Sequence, residues 1–458
     1  MSRDPLPSPP AEAVAASRRL AARVVDDVAA AGGWIGFDRY MARVLYEPVL
    51  GYYSGGAAKL GAAGDFVTAP MISPLFGQCV AAQCLQWFDA PAALPRVVTE
   101  FGAGGGELAA QLLAAFDAAG LTDLRYDIVE LSAELAQRQR DRIACEVPQA
   151  LPRVRWLHEL PPALSGVVLG NELLDAMPVR LFVLRGGQVF ERGVTVEPGP
   201  TGDAGGEGGV GGVGGEGGDA GDGGDAGAGE IETGGETGEG GEGGRIGDQG
   251  RPVRFGWRDR PADPAFAGRV AAALADAERQ PAELPDGYLS ELNEQAEGWV
   301  STIAGRLERG VVLLFDYGFP AAEYYHPQRG AGTVMCHYRH RAHADPFRWP
   351  GLQDITAHVQ FDAIARAASS AGCDLLGYTT QAHFLLNCGL IDALSAARGG
   401  DAFAAARDAA AVQRLVSEAE MGELVKVIAF GRGVDDDAIG FARGDRRHRL
   451  VVDQQGPR

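Results

Sequence analysis

From Arg96 onward the chain alternates short apolar runs with segments whose apolar residues recur at helical spacing. The runs Val97–Phe101, Tyr126–Glu130, Val154–Leu157 and Val167–Leu169 read as strands, and Glu107–Ala119 and Ala133–Cys145 between them read as helices. That βαβαβ order predicts a parallel sheet with helices on both faces. Arg180–Leu184 and Gln188–Val194 read as two strands joined by Gly186-Gly187, and Val253–Trp257 as a further strand. Later segments predict helices over Ala265–Glu278, Ser290–Leu307 and Phe361–Ala371. Strands are predicted over Val311–Asp316, Leu375–Thr379 and Leu424–Phe430, and the region from Tyr317 to Thr356 reads as loops. Ahead of this core, Val14, Leu20, Val24, Val25 and Val28 give Ala11–Ala31 an apolar helical stripe that Gly32-Gly33 ends. Helices are also predicted over Phe37–Tyr46 and Pro74–Phe88, with glycine-rich loops between them.

Composition changes this picture in one place. Between Thr201 and Gly250 lie 25 Gly, 12 Asp/Glu and a single basic residue, Arg245. Such a stretch buries no apolar surface and is expected to be disordered. Setting it aside takes the net charge of the 458-residue chain from −20 to −9, which argues against a DNA-coating surface. Cys79, Cys84, Cys145, Cys336, Cys373 and Cys388 form no CxxC pair, so neither a disulfide framework nor a zinc ribbon is expected. No secretory h-region and no uncharged apolar run of 18 residues occurs, so a cytoplasmic protein without a membrane span is expected. The expected division is a helical block with a cofactor-covering loop over 1–92, a core over 93–198, the insertion over 199–250, the rest of the core over 251–432 and a tail over 433–458.

The strongest chemical signal is Glu100-Phe101-Gly102-Ala103-Gly104-Gly105-Gly106-Glu107, where a strand ends at an acid and turns through glycines into a helix. Glycines let backbone approach a ligand, and the helix N-terminus offers free N–H groups. Dinucleotide sites need a third glycine where Glu107 stands, and a glutamate there would repel a pyrophosphate. A cationic cofactor tolerates it. Glu130 ends the next strand, 24 residues beyond Gly106, where an acid can accept hydrogen bonds from ribose hydroxyls. Leu169-Gly170-Asn171-Glu172-Leu173-Leu174-Asp175 falls at the C-terminal end of a further strand. In a helical turn, Glu172 and Asp175 would share a face able to hold a guanidinium. The run Cys336-His337-Tyr338-Arg339-His340-Arg341-Ala342-His343 superficially suggests a metal site, but its arginines would repel a cation, and no metal is expected.

The Glu-x-Gly-x-Gly-x-Gly run resembles motif I of class I S-adenosylmethionine (SAM) methyltransferases. More of the chain is similar to the MidA-type family, whose mitochondrial members are protein arginine methyltransferases acting in assembly of respiratory complex I. The matching segments are Gly51-Tyr52-Tyr53, Gly64-Asp65-Phe66-Val67-Thr68-Ala69-Pro70, the glycine motif, Asn171-Glu172 through Pro178-Val179, Asp316-Tyr317-Gly318, Asp354 to Val359 with Phe361, and Gln381-Ala382 with Phe384-Leu385. Met71 and Gln360 stand where the family usually carries Glu and Asp. The resemblance implies a Rossmann-like α/β methyltransferase sheet, mostly parallel with an antiparallel strand near one edge, carrying an N-terminal helical block and inserted helices. It implies SAM, released as S-adenosylhomocysteine (SAH), bound by Thr68, Glu100, Gly102, Ala103, Gly104, Gly106, Glu130, Leu131 and Asn171. A protein arginine would be oriented by Glu172, with Asp175 or Asp316 second. A SAM enzyme acting on a small molecule or RNA, and a SAM-binding assembly protein without catalysis, are the competing readings.

Overall fold

Strands buried on both faces need apolar residues at consecutive positions, and Val167-Val168-Leu169 and Val311 to Phe315 supply them. In a computed structural model, which describes residues 6–55, 67–90, 93–198, 253–397 and 402–451, these runs form the centre of an eight-stranded sheet. Its main path is Asp374–Thr380, Val425–Arg432, Leu307–Phe319, Leu164–Asn171, Val97–Phe101, Arg125–Val129 and Val154–Leu157, with Val359–Gln360 pairing off the path. Along the path only Val425–Arg432 runs antiparallel to its neighbours. Successive side chains alternate between the faces. Val167, Leu169, Val311 and Leu313 meet the helices Pro74–Asp89 and Glu107–Ala118, while Val168, Val312 and Leu314 meet Glu294–Arg306 and Phe361–Ser370.

The chain differs from its sequence reading in three places. A second sheet of five antiparallel strands gathers Ile35–Gly36, Gln188–Pro198, Arg180–Arg185, Leu289–Leu292 and Val253–Pro261. Leu289–Leu292, expected as the start of a helix, pairs instead with Arg180–Val183, and the helix begins at Glu294. The region expected as loops carries a three-stranded sheet of Arg341–His343, Met335–Tyr338 and Asp354–Thr356. The front helices also part company. Ala11–Ala30 and Phe37–Tyr46 pack against the second sheet through Leu20, Val24, Tyr40, Leu181 and Val194, whereas Pro74–Asp89 belongs to the core of the large sheet. The acidic glycine tract lies outside the described residues, as do Gly64, Asp65 and Phe66. The hairpin flanking the tract is paired as far as Pro198 and Val253. Among the described residues, no helix is long and apolar enough to cross a membrane.

Candidate functional site

The carboxyl ends of the parallel strands are where an open α/β sheet receives ligands. Here they open into a cavity of about 530 Å³, within the range of small-molecule sites. Three segments build it.

The first is the glycine turn. The strand ending at Phe101 passes through Gly102, Gly104 and Gly106, all at positive φ, into the helix that starts at Glu107. Gly102, Ala103 and Gly104 line the cavity, with Glu100 at its base. Gly106 does not line it; its hydrogen faces the backbone of Gln139, so this glycine serves helix packing. Gln139 is buried and spans the two strand ends, its Nε2 donating to Gly104 O at 3.0 Å and to Glu130 Oε2 at 3.1 Å. Trp156 Nε1 donates to its Oε1. Glu130 also accepts from Ser132 N at 2.7 Å, and burial raises its carboxyl above the usual range despite these bonds. Glu100 accepts from Tyr126 Oη at 2.7 Å, and burial pushes it up to about 7.

The second segment is the acidic turn after Leu164–Asn171. It is no helical turn: Glu172 sits at φ 49°, a conformation that disfavours a side chain bearing Cβ and persists where surrounding bonds impose it. Those bonds are visible. Glu172 N donates to Phe315 O at 2.8 Å, and Asp316 Oδ2 accepts from Leu173 N at 3.0 Å and Leu174 N at 2.7 Å. Asp316 Oδ1 accepts from Tyr317 N. Glu172 and Asn171 line the cavity; Asp175 and Asp316 are buried behind it and do not. The shared face expected for Glu172 and Asp175 is therefore absent, because the positive φ turns the chain between them. Asp316 holds backbone and presents no carboxylate to a ligand. Replacing it with Ala is expected to lower unfolding stability by about 2–4 kcal/mol, since buried N–H groups lose a charged acceptor; a denaturant titration reads this out.

Glu172 keeps one carboxyl at the cavity wall. Among the described residues its Oε1 takes long, neutral contacts, from Ala69 N and Asn171 Nδ2, each 3.3 Å away. No salt bridge reaches it among the described residues. Withdrawal from solvent, reinforced by repulsion from Asp316, pushes it up to about 8. Burial and the neighbouring Asp316, Glu172 and Asp354 hold Asp175 well above the carboxylate range.

The third segment is the wall contributed by the front of the chain: Tyr46, Pro48, Tyr53, Ser54, Thr68, Pro70 and Met71. Gln111 fixes Pro70, its amide donating to Pro70 O at 2.7 Å while its oxygen accepts from Gly77 N. Of the positions departing from the family pattern, Met71 lines the cavity and Gln360 does not. Gln360 caps the helix Phe361–Ser370 by accepting from Ala363 N, a task its side-chain oxygen performs as an aspartate's would.

Thr68, Glu100, Gly102, Ala103, Gly104, Glu130, Leu131, Asn171 and Glu172 are thus brought to one cavity, and Gly106, Asp175 and Asp316 are not. Sequence reasoning missed Gln139, whose signal was a lone amide on the buried stripe Ala136, Gln139, Ile143. It also missed the lining role of Tyr46 and Tyr53. The lining suits a cationic, polar ligand: acidic side chains border it, and among the described residues Asn171 Oδ1 is a buried acceptor with no partner. Among the described residues, no group of three or more His, Cys, Asp or Glu is placed to hold a metal.

The family model described as "Putative S-adenosyl-L-methionine-dependent methyltransferase" matches residues 79–379. Over 188 residues the chain is 30% identical to the mitochondrial protein arginine methyltransferase NDUFAF7 of Danio rerio, an alignment covering 36% of this chain and 43% of that one. It is 26% identical over 362 residues to the Drosophila melanogaster homolog, covering 73% and 66%. The chain therefore spans under half of the fish relative and about two thirds of the fly one. A crystal structure of a candidate methyl transferase from Burkholderia thailandensis, bound to S-adenosyl-homocysteine, superposes with a TM-score of 0.80 at 46% identity, covering 97% of this chain and 100% of that one.

Proposed function

This chain belongs to that family of S-adenosyl-L-methionine-dependent methyltransferases, and we propose that its acceptor is an arginine side chain of a protein. One observation carries the choice of acceptor: among the described residues no charged group pairs with the Glu172 carboxyl, which is held in a strained conformation at the wall of the cavity. The names of the fish and fly relatives support the same acceptor. By the family resemblance, a respiratory complex I subunit is the first protein to test.

In this reading Glu100, Gly102, Ala103, Gly104, Glu130, Leu131, Asn171 and Thr68 hold the cofactor, with Asn171 Oδ1 taking a donor it lacks among the described residues. When bound, SAM supplies an electrophilic methyl group on a sulfonium. A guanidinium is protonated at any working pH and its lone pair is delocalised, so it is a poor nucleophile. Glu172 offsets this by accepting N–H groups on the far side of the guanidinium, drawing charge from the attacking nitrogen and fixing it at about 3–3.5 Å, the near-attack range. Asp316 acts through Glu172 by fixing Leu173 and Leu174. Proton loss can follow transfer, so no strong base is required.

The pH dependence follows from the sign of the Glu172 shift. Below about 8 its carboxyl is largely protonated and offers an acidic O–H to a cation; above that it is a carboxylate. Methyl transfer at subsaturating acceptor is expected to rise between pH 6.5 and 8.5, by up to about tenfold per unit, and to level off above. Glu172→Gln should flatten that profile.

The test is transfer of isotopically labelled methyl from SAM onto protein extracted from cells lacking this enzyme, followed by hydrolysis to amino acids. Label in methylarginine is the expected result. Label in methyllysine, in RNA or in small molecules alone would overturn the arginine reading.

A further inference from the structure

Gly51-Tyr52-Tyr53 matched the family pattern, yet the cofactor-binding residues named above include none of the three. The structure gives this segment a place. Tyr46, the last residue of the helix Phe37–Tyr46, and Tyr53, just beyond the following turn, stack with ring centroids 5.4 Å apart and planes 27° from parallel. Both line the cavity that Glu172 lines. Tyr52 braces the pair, its ring set edge-on to Tyr53 at 5.0 Å and 82°.

The turn that delivers them is tightly specified. Glu47 is held by the guanidinium groups of Arg23 and Arg43, and its carbonyl accepts from Gly51 N at 2.7 Å. A Cβ on Gly51 would lie 2.5 Å from Glu47 N, so no other residue closes the turn this way. Val49 pays for the closure with φ 70°, a genuine outlier for a β-branched residue. Backbone strain of this kind is stored where the surrounding structure enforces a geometry.

Both phenol hydroxyls are committed away from a ligand. Tyr46 Oη donates to Ala176 O at 2.9 Å, on the acidic turn itself, and Tyr53 Oη donates to Asp354 Oδ1 at 2.7 Å. What these side chains can still offer the cavity is ring carbon. Tyr46 remains 43% exposed. Burial of the hydroxyls and the nearby Asp354 and Asp175 push both phenols above their ordinary value, so the rings stay neutral at any working pH.

We propose that Tyr46 and Tyr53 form the specificity surface of this site, an aromatic platform against which the planar cation of an arginine side chain stacks while Glu172 accepts its N–H groups. This rests on the arginine reading and deepens it. A guanidinium is flat, weakly hydrated and able to stack on an aromatic face and to be bonded in its plane at the same time; a lysine ammonium is a compact, strongly hydrated point charge that gains less from ring carbon. The platform thus sharpens the preference for arginine over lysine, adding stacking on the ring face to the in-plane bonding that Glu172 supplies.

The experiment titrates Nα-acetyl-arginine amide and Nα-acetyl-lysine amide calorimetrically into the full chain saturated with SAH. Wild type is expected to bind the arginine probe at least about tenfold more tightly. Tyr46→Leu should weaken the arginine probe by about 2- to 30-fold and leave the lysine probe within about twofold, whereas Tyr46→Phe, which keeps the ring, should stay within about twofold on both. SAH affinity within about twofold of wild type shows that each variant keeps the cavity. A Tyr46→Leu protein that retains the full arginine preference, or weakens both probes alike, overturns the platform and leaves the arginine reading standing. A wild-type protein that binds SAH yet shows no preference for arginine overturns both.

Discussion

Glu172→Gln is expected to slow methyl transfer by about 30- to several thousand-fold while SAH affinity stays within a few-fold. Removing one charge from a desolvated, hydrogen-bonded pair costs about 2–5 kcal/mol, and that loss appears in the rate when the pair is tightest in the transition state. The split is what the geometry requires. Glu172 borders the cavity through a carboxyl whose contacts are two neutral donors at 3.3 Å, so an amide of the same shape disturbs the turn little and leaves the glycine wall untouched. Single-turnover transfer with the substrate identified by labelling, beside SAH calorimetry, measures both numbers. An unchanged rate would remove the orienting role from Glu172. Asp316 would not inherit it, because its oxygens are occupied by the N–H groups of Leu173, Leu174 and Tyr317.

Gly104→Val should reduce SAM and SAH affinity by at least about 100-fold. Gly104 lies at φ 54° on the cavity wall, and its carbonyl is tied to Gln139 Nε2. A β-branched residue either keeps that φ at a cost of about 1–3 kcal/mol, placing its methyl groups at the ligand wall, or relaxes the turn and loses the wall. Gly120→Val separates the two effects. Gly120 has φ 79° with open space where Cβ would lie, and it sits at the far end of the Glu107–Ala118 helix from the site. It should lose comparable stability in a denaturant titration and bind SAH as wild type does. Equal loss of binding in both variants would mean that backbone strain alone, and not contact with the cofactor, explains Gly104.

Much of this was legible from local pattern. The strands Val97–Phe101 and Val154–Leu157 and the helix Phe37–Tyr46 begin and end where their apolar spacing and flanking turn residues put them. The reason is that burial on both faces, helical periodicity and glycine turns act over a few residues and leave a local trace. The glycine wall of the cavity was equally legible, since an acid, a glycine turn and a helix start are contiguous, and the acid of the next strand stands a fixed βα unit away. Sequence by itself therefore determined the fold class and most of the residues that meet at one cavity.

Partnership between distant segments left no such trace. Leu289–Leu292 continues the apolar spacing of the helix after it and became a strand only because the edge of Arg180–Arg185 offered unpaired backbone. Glu172 stood first among the acids at strand ends, with Asp175 or Asp316 second, but local pattern gave no reason for their different fates. They differ because the backbone of one turn takes up Asp316, a positive φ swings Asp175 behind the wall, and Glu172 alone of the three faces the cavity. Tyr46 and Tyr53 reached the site from a turn more than 100 residues away, joined to it by the Ala176 carbonyl and by Asp354. Local propensity fixes which elements form, but the destination of each buried polar group depends on which donors and acceptors the assembled chain leaves unpaired. That assignment is a property of the tertiary structure alone.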